Sequence, residues 1–206
     1  MIDLRVCMAL CVALAACQTE VREEPAADTS DTETLESADT ARIVAIGDSA
    51  AVALTTSLMG QVRAEIERAG PAAAVSFCSQ QALPLTAGVE DDLEPGIELK
   101  RTSDRIRNPA NAPDAREREA LAQFAGAAMG DMPPWFIQQT DDGWRYYKPI
   151  VMAQLCTTCH GPAEEIDPEV QRVLAERYPN DQATGYSAGD FRGLVRVSIP
   201  ASALQH

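Results

Sequence analysis

The run WFIQQTDDGWRYYKPIVMAQLCTTCHGP, residues 135–162, carries two readings at once. Its first part places aromatic and β-branched residues on either side of Asp141-Asp142-Gly143, the pattern of an antiparallel hairpin. Its second part sets Cys156 and Cys159 around two threonines, with His160 immediately after. A thioredoxin-like Cys-x-x-Cys belongs to a βαβ unit and opens a helix. Here the motif leaves a hairpin and runs into Gly161-Pro162, which argues against that setting.

Two chemistries remain. A zinc site needs four ligands, and Cys78, Cys156, Cys159 and His160 are the set this chain can offer. Covalent haem needs two thiols spaced to the two vinyl groups and a histidine next to them as proximal iron ligand, which is the pattern Cys-x-x-Cys-His. The haem reading is favoured by the start of the chain. Residues 1–16 are Arg5 followed by an apolar run too short to cross a bilayer, and Leu14-Ala15-Ala16-Cys17 has the form of a bacterial lipobox. The expectation is a signal peptide over 1–16, a lipidated Cys17 and export to the periplasmic side of a bacterial membrane. Gln18 after the cysteine points to the outer membrane.

Residues 17–40 are then the lipidated cysteine and a tether. From 18 to 40 eight acids face a single arginine, half of the formal net charge of −14. Low hydrophobicity and like charge predict a disordered segment, reaching on the order of 25 Å as a flexible coil. So acidic a chain excludes nucleic acid as a natural partner.

Residues 41–206 read as one domain. Helical periodicity covers 41–69 and stops at Gly70-Pro71, and a second helix runs from Pro71 to Leu83 and carries Cys78. A short strand is predicted over 96–103 and a loop over 107–113. A helix over 114–129 with Asp114 as N-cap follows, then the hairpin, a helix capped by Asp167, and a last strand from Phe191. The sum is an α+β fold with a mostly antiparallel sheet.

The chain has six cysteines and two histidines. Cys7 and Cys11 leave with the signal, Cys17 goes to lipid, Cys156 and Cys159 go to haem, and Cys78 is left over. A second axial ligand to the iron must come from Cys78, from Met59, Met129, Met132 or Met152, from the terminal His206, from water or from nothing. Met59 and Met152 read as core filler and His206 as solvated, which leaves Met129 and Met132 as the methionine candidates.

SFCSQQA (76–82), KRTSDRIRNPANAPDARE (100–117), YYKPI (146–150), CTTCHGP (156–162) and GYSAGDFRGLVRVSIP (185–200), in this order, resemble the Tll-type haem domain family over roughly residues 42–201. That family comprises single-haem c-type proteins with a PAS-like fold, found alone or as sensory inputs. The resemblance implies a PAS-like antiparallel sheet flanked by helices, one covalent haem c on Cys156 and Cys159, and His160 on the iron. It also implies Cys78 as the other axial ligand. Arg101, Arg105 and Arg107 fall within it and are candidates for pairing with haem propionates, since guanidinium suits bidentate carboxylate contact. Asn108 and Asn111 are expected to pin their loop, and Trp135, Phe136, Trp144, Tyr146 and Tyr147 either wall the haem or fill the core.

The function expected is a membrane-anchored periplasmic c-type cytochrome, acting as an electron carrier or as a sensor of redox state or a small ligand. A haem enzyme acting on sulfur compounds or peroxide is the alternative from another class. The partners called for are the cytochrome c maturation machinery, a periplasmic redox or signalling protein, the membrane through the lipid anchor, and a homodimer.

Overall fold

The structure, a computed structural model, describes residues 29–127 and 130–205. The signal peptide, Cys17, the first part of the tether, Met129 and His206 lie outside the described residues. The order of the main elements is α1 (Thr29–Ala69), α2 (Pro71–Asp91), β1 (Glu98–Thr102), α3 (Ala115–Phe124), β2 (Phe136–Thr140), β3 (Gly143–Val151), α4 (Thr157–His160), α5 (Pro168–Arg177) and β4 (Phe191–Pro200). The four strands form one antiparallel sheet in the order β1-β4-β3-β2.

Strand alternation gives the sheet two different faces. Leu99, Tyr146, Val195, Val197 and Ile199 point to one side, where they pack with Ile43, Ala50, Ala51 and Leu54 of α1. Tyr147 and Leu194 point to the other side, beneath Ala120, Leu121 and Phe124 of α3. The inner strand β4 accordingly buries apolar residues on both faces, Leu194 on one and Val195, Val197 and Ile199 on the other. The segment Asp39–Ala69 of α1 is long and apolar enough to span a bilayer by length and composition. Its five buried positions, 43, 47, 50, 51 and 54, are explained by the sheet on which it packs.

Gly47 sets how closely α1 approaches the sheet. A Cβ there would stand 2.2 Å from Tyr146 Cγ. The Tyr146 hydroxyl donates to Asp48 Oδ1 at 2.9 Å, an oxygen that also takes Lys148 Nζ. On the opposite face the fully buried Glu117 accepts from Lys100 Nζ at 2.7 Å, from the Asp114 amide at 2.9 Å and from Arg196 at 3.4 Å. A buried carboxylate needs this many donors. The Asp114–Glu117 capping box fixes the start of α3 at the same time.

Three elements differ from expectation in extent. α1 begins at Thr29, so its helix reaches into the stretch read as disordered tether. α2 does not stop near Leu83 but continues through Pro84 to Asp91. A proline inside a helix removes one backbone bond and normally breaks it, but Pro84 lies on the exposed face, and Thr86 Oγ1 donates to the Ala82 carbonyl at 2.8 Å. α3 ends at Phe124, before Gly126 with its positive φ of 78°. The strand at 98–102, the hairpin, α5 with its Asp167 cap, and β4 stand as expected.

Two glycines of α1 give opposite predictions. Gly47→Ala has to push Tyr146 aside and should cost about 1–3 kcal/mol as an overpacked site. Gly60 has nothing within 4 Å of a built Cβ, so Gly60→Ala should stabilise by up to about 1 kcal/mol through helix propensity. Urea denaturation of the two variants measures both, and a neutral Gly47→Ala would mean that α1 does not seat on Tyr146.

Candidate functional site: a cleft between α1, α2 and the Cys-x-x-Cys-His turn

Between the α1–α2 pair and the sheet lies a cleft of about 250 Å³. Met59, Val62 and Ile66 of α1 and Val75 and Cys78 of α2 line one side, and Arg101, Ile150 and Val195 of the sheet line the other. Cys156, Cys159 and His160 close one end. The apolar stripe at 59, 62 and 66 is the continuation of the face that α1 uses to cover the sheet at 43, 50 and 54. The cleft is thus the part of that face which the sheet leaves uncovered.

The Cys-x-x-Cys-His motif folds as a 3₁₀ turn, Gln154–Cys156, running into the single helical turn α4. One turn of helix cannot hold itself, and the loop 178–190 holds this one. The His160 carbonyl accepts from the Tyr186 amide at 2.9 Å, and the Gly161 carbonyl accepts from the Gly185 amide at 2.6 Å. His160 Nδ1 lies 2.6 Å from the Ala183 carbonyl. A carbonyl only accepts, so Nδ1 carries the proton and Nε2 keeps a lone pair. Burial, with Arg107 and Arg192 nearby, pushes the imidazole pKa down to about 3, so the ring is neutral at physiological pH. A neutral imidazole with one nitrogen tied to a carbonyl and a lone pair kept on the other is how metal-ligating histidines are prepared.

Arg107 fixes this arrangement from the other side. Its guanidinium pairs with Asp181 at 2.8 Å, donates to the Cys159 carbonyl at 2.6 Å, and places Nη1 3.4 Å from His160 Nε2. A metal taking the Nε2 lone pair would displace the last contact and leave the other two. The thiols lie in apolar surroundings. Burial raises the Cys159 pKa to about 11 and also raises that of Cys78, which Arg101 and Arg107 partly offset.

The site residues named from the sequence separate clearly. Cys78, Cys156, Cys159, His160, Arg101 and Arg107 all line the cleft, whereas Arg105 faces away from it and stacks on Tyr186, 3.9 Å above the ring centroid. Arg107 is occupied by Asp181, and among the described residues Arg101 has no carboxylate within ion-pair reach. Asn108 pins its loop as expected, accepting from the Ala110 amide at 3.0 Å. The five hairpin aromatics do not wall the cleft. They pack in the two cores, and the aromatic residue that does line it is Tyr178. Met132 packs under α3 on the far face of the sheet, while Met59 and Met152, read as filler, line the cleft. Helix and strand phase decide this, and neither was fixed by composition. Among the described residues no three His, Cys, Asp or Glu side chains are gathered as a metal site, Cys78, Cys156, Cys159 and His160 included.

Arg192 and Tyr178 are the cleft residues that sequence reasoning missed. Arg192 lies in the GDFRG segment, which was quoted for the resemblance without a role being drawn from it.

The Tll0287-like family profile matches residues 18–200. The chain belongs to the Tll0287-like family. Among solved structures, the cyanobacterial heme-protein Tll0287 superposes with a TM-score of 0.55 at 22% sequence identity, covering 85% of this chain and 98% of that one. At that identity the likeness is one of fold. No curated protein matches the chain.

The Arg107–Asp181 pair makes a testable claim about the loop. Both side chains are about nine-tenths buried, with 12% and 10% exposed. Asp181→Ala leaves a buried cation unpaired and should destabilise the protein by roughly 3 kcal/mol. It should also speed hydrogen exchange at the Ala183 and Tyr186 amides. Unchanged exchange at Tyr186 would show that the loop is held without Arg107.

Proposed function

We propose that this chain is a c-type haem protein of the periplasmic side of a bacterial membrane, working as an electron carrier or as a sensor of redox state or a small ligand. The observation that carries the reading is the state of His160. Its Nδ1–H is tied to a backbone carbonyl, and its Nε2 lone pair lies at the wall of an apolar cleft whose end is formed by Cys156 and Cys159. The solved structure named above is that of a heme protein, which supports haem here. We read the sheet and its covering helices as PAS-like.

The residues fit one haem. Cys156 and Cys159 would hold it through thioethers, the S–H of each adding across a vinyl double bond with no external oxidant. His160 and Cys78 would ligate the iron. Of the three arginines named from the sequence, Arg101 is the one left to meet a propionate. Bound haem supplies one-electron redox chemistry, with a potential set by axial ligands, burial and hydrogen bonds. The chain's own part is to fix the imidazole, keep water from the cleft and place the thiol. No carboxylate and no second histidine is among the described residues that line the cleft. These are the commonest groups for general acid–base catalysis on peroxide or sulfur compounds, so carrier or sensor is preferred to enzyme.

On this reading Cys17 would be lipidated and tether the domain at the outer membrane, and the maturation machinery and a periplasmic redox or signalling protein would be its partners.

Three outcomes test this. The purified protein should keep its colour through denaturation and acid-acetone extraction, with one haem added by mass, and Cys156→Ala/Cys159→Ala should lose both; a colourless protein holding one zinc refutes the reading. Cys78→Ala should keep the haem but lose low-spin character and gain affinity for carbon monoxide or cyanide. Cys78→Met should raise the potential if its sulfur reaches the iron, since a thiolate favours the ferric state. An unchanged spectrum in Cys78→Ala would move the assignment to Met59 or Met152. Finally, labelled fatty acid should enter the wild type and not Cys17→Ala, and a fully soluble wild type would remove the anchor.

A further inference from the structure

A second, more open pocket of about 610 Å³ lies beside the cleft, lined among others by Ser103, Asp104, Arg105, Tyr186, Asp190 and Arg192. Ser103 and Arg192 line both spaces. Sequence reasoning gave this pocket no role, and the haem reading does not use it.

Its two guanidinium groups are held in place but not neutralised. Arg192 Nη1 donates to Ser103 Oγ at 2.6 Å and to the Arg105 carbonyl at 3.1 Å. Arg105 Nε donates to the Gln182 carbonyl at 3.2 Å, and its plane stacks on the buried ring of Tyr186. Arg192 lies over the same ring, 5.4 Å from its centroid. Gly185 leaves room for the stack, since a Cβ there would stand 3.2 Å from Arg105 Nη2. Among the described residues neither guanidinium has a carboxylate within 4.0 Å, whereas Arg107 close by is paired with Asp181. Two forks fixed by carbonyls, a hydroxyl and an aromatic ring, both lining one pocket, are prepared for an oxygen anion.

The rim limits the charge of that anion. Asp190 is engaged in accepting from the Ser187 amide at 2.7 Å, and Asp104 is exposed. Two carboxylates at the rim against two cations on the wall disfavour a dianion. We propose that this pocket binds a small, singly charged carboxylate, held between Arg105 and Arg192. A haem propionate reaching Arg192 from the cleft is the other source of the same chemistry. The proposal concerns a diffusible ligand, and it stands on protein groups alone, independent of whether the cleft holds haem.

Acetate is the probe. It is titrated at constant ionic strength into the full-length protein as purified, followed by NMR of the arginine Nε–H groups and by calorimetry. The expected result is saturable binding at one site with Kd on the order of 1 mM or below, with shifts at Arg105 and Arg192. Arg105→Gln should weaken binding about tenfold or more, as loss of a charge-assisted pair does. Asp104→Asn should tighten it, because the substitution removes a rim charge and touches no packing, and this keeps the test decisive if the arginine variants fold poorly. No saturable binding overturns the proposal, whether a propionate fills the pocket or nothing does. So does binding that is indifferent to both Arg105→Gln and Asp104→Asn. Loss of haem with acetate binding intact would refute the cleft reading and leave this one standing.

Discussion

The site depends on one short hydrogen bond, from His160 Nδ1 to the Ala183 carbonyl. Everything that makes it possible comes from elsewhere in the chain. Ala183 is held because the Gln182 amide donates to the Ile106 carbonyl, because the Asp181 carboxylate takes the Ala183 amide, and because Met152 exchanges two backbone bonds with Gly189 and Asp190. The loop after β1, the end of β3 and the entry to β4 therefore meet at one imidazole. A ring located by three segments far apart in sequence has little freedom to turn, which is what preorganising a metal ligand requires.

The same meeting point explains the close approach of β1 and β4. Gly193 has φ 149°, and a Cβ on it would come within 2.3 Å of the Thr102 carbonyl. The strands can touch there only without a side chain. Beyond that contact Arg101 turns into the cleft, and Arg192 comes to line both spaces. One glycine thus separates an apolar cleft from a polar pocket by a single layer of side chains.

Much of this was legible in sequence because local signals and tertiary needs agreed. Asp114 and Asp167 cap the helices they announce, Asp141-Asp142-Gly143 turns the hairpin, and Cys156, Cys159 and His160 stay together because three neighbours on one helical turn cannot separate. What was not legible depended on phase and on distant partners. Pattern alone does not tell which face of α1 meets a sheet and which a cleft, so Met59 and Met132 exchanged roles. Arg101, Arg105 and Arg107 look equivalent in KRTSDRIR, yet the strand ends at Thr102 and the chain turns there, sending Arg101 inward and Arg105 outward. Arg107 meets an aspartate whose side chain is 74 positions away, and nothing local reports that.

The charge of the cleft is the part of the structure that most needs a partner. The chain is strongly acidic, yet four arginines, 101, 105, 107 and 192, surround this region, and Asp181 neutralises one of them. Burial lowers the pKa of Arg101, with Cys78 and Tyr178 in partial opposition. A cation held in apolar surroundings without a counter-ion is costly, and an arginine does not lose its proton to escape that cost. Arg107 is satisfied, and Arg105 lies outside the cleft. Arg101 and Arg192 line the cleft without a carboxylate in ion-pair reach among the described residues, so the cleft fits an occupant that is apolar along the walls of α1 and β3 and anionic where β1 and β4 adjoin. A flat macrocycle with carboxylate arms meets both requirements, and a bare metal ion meets neither.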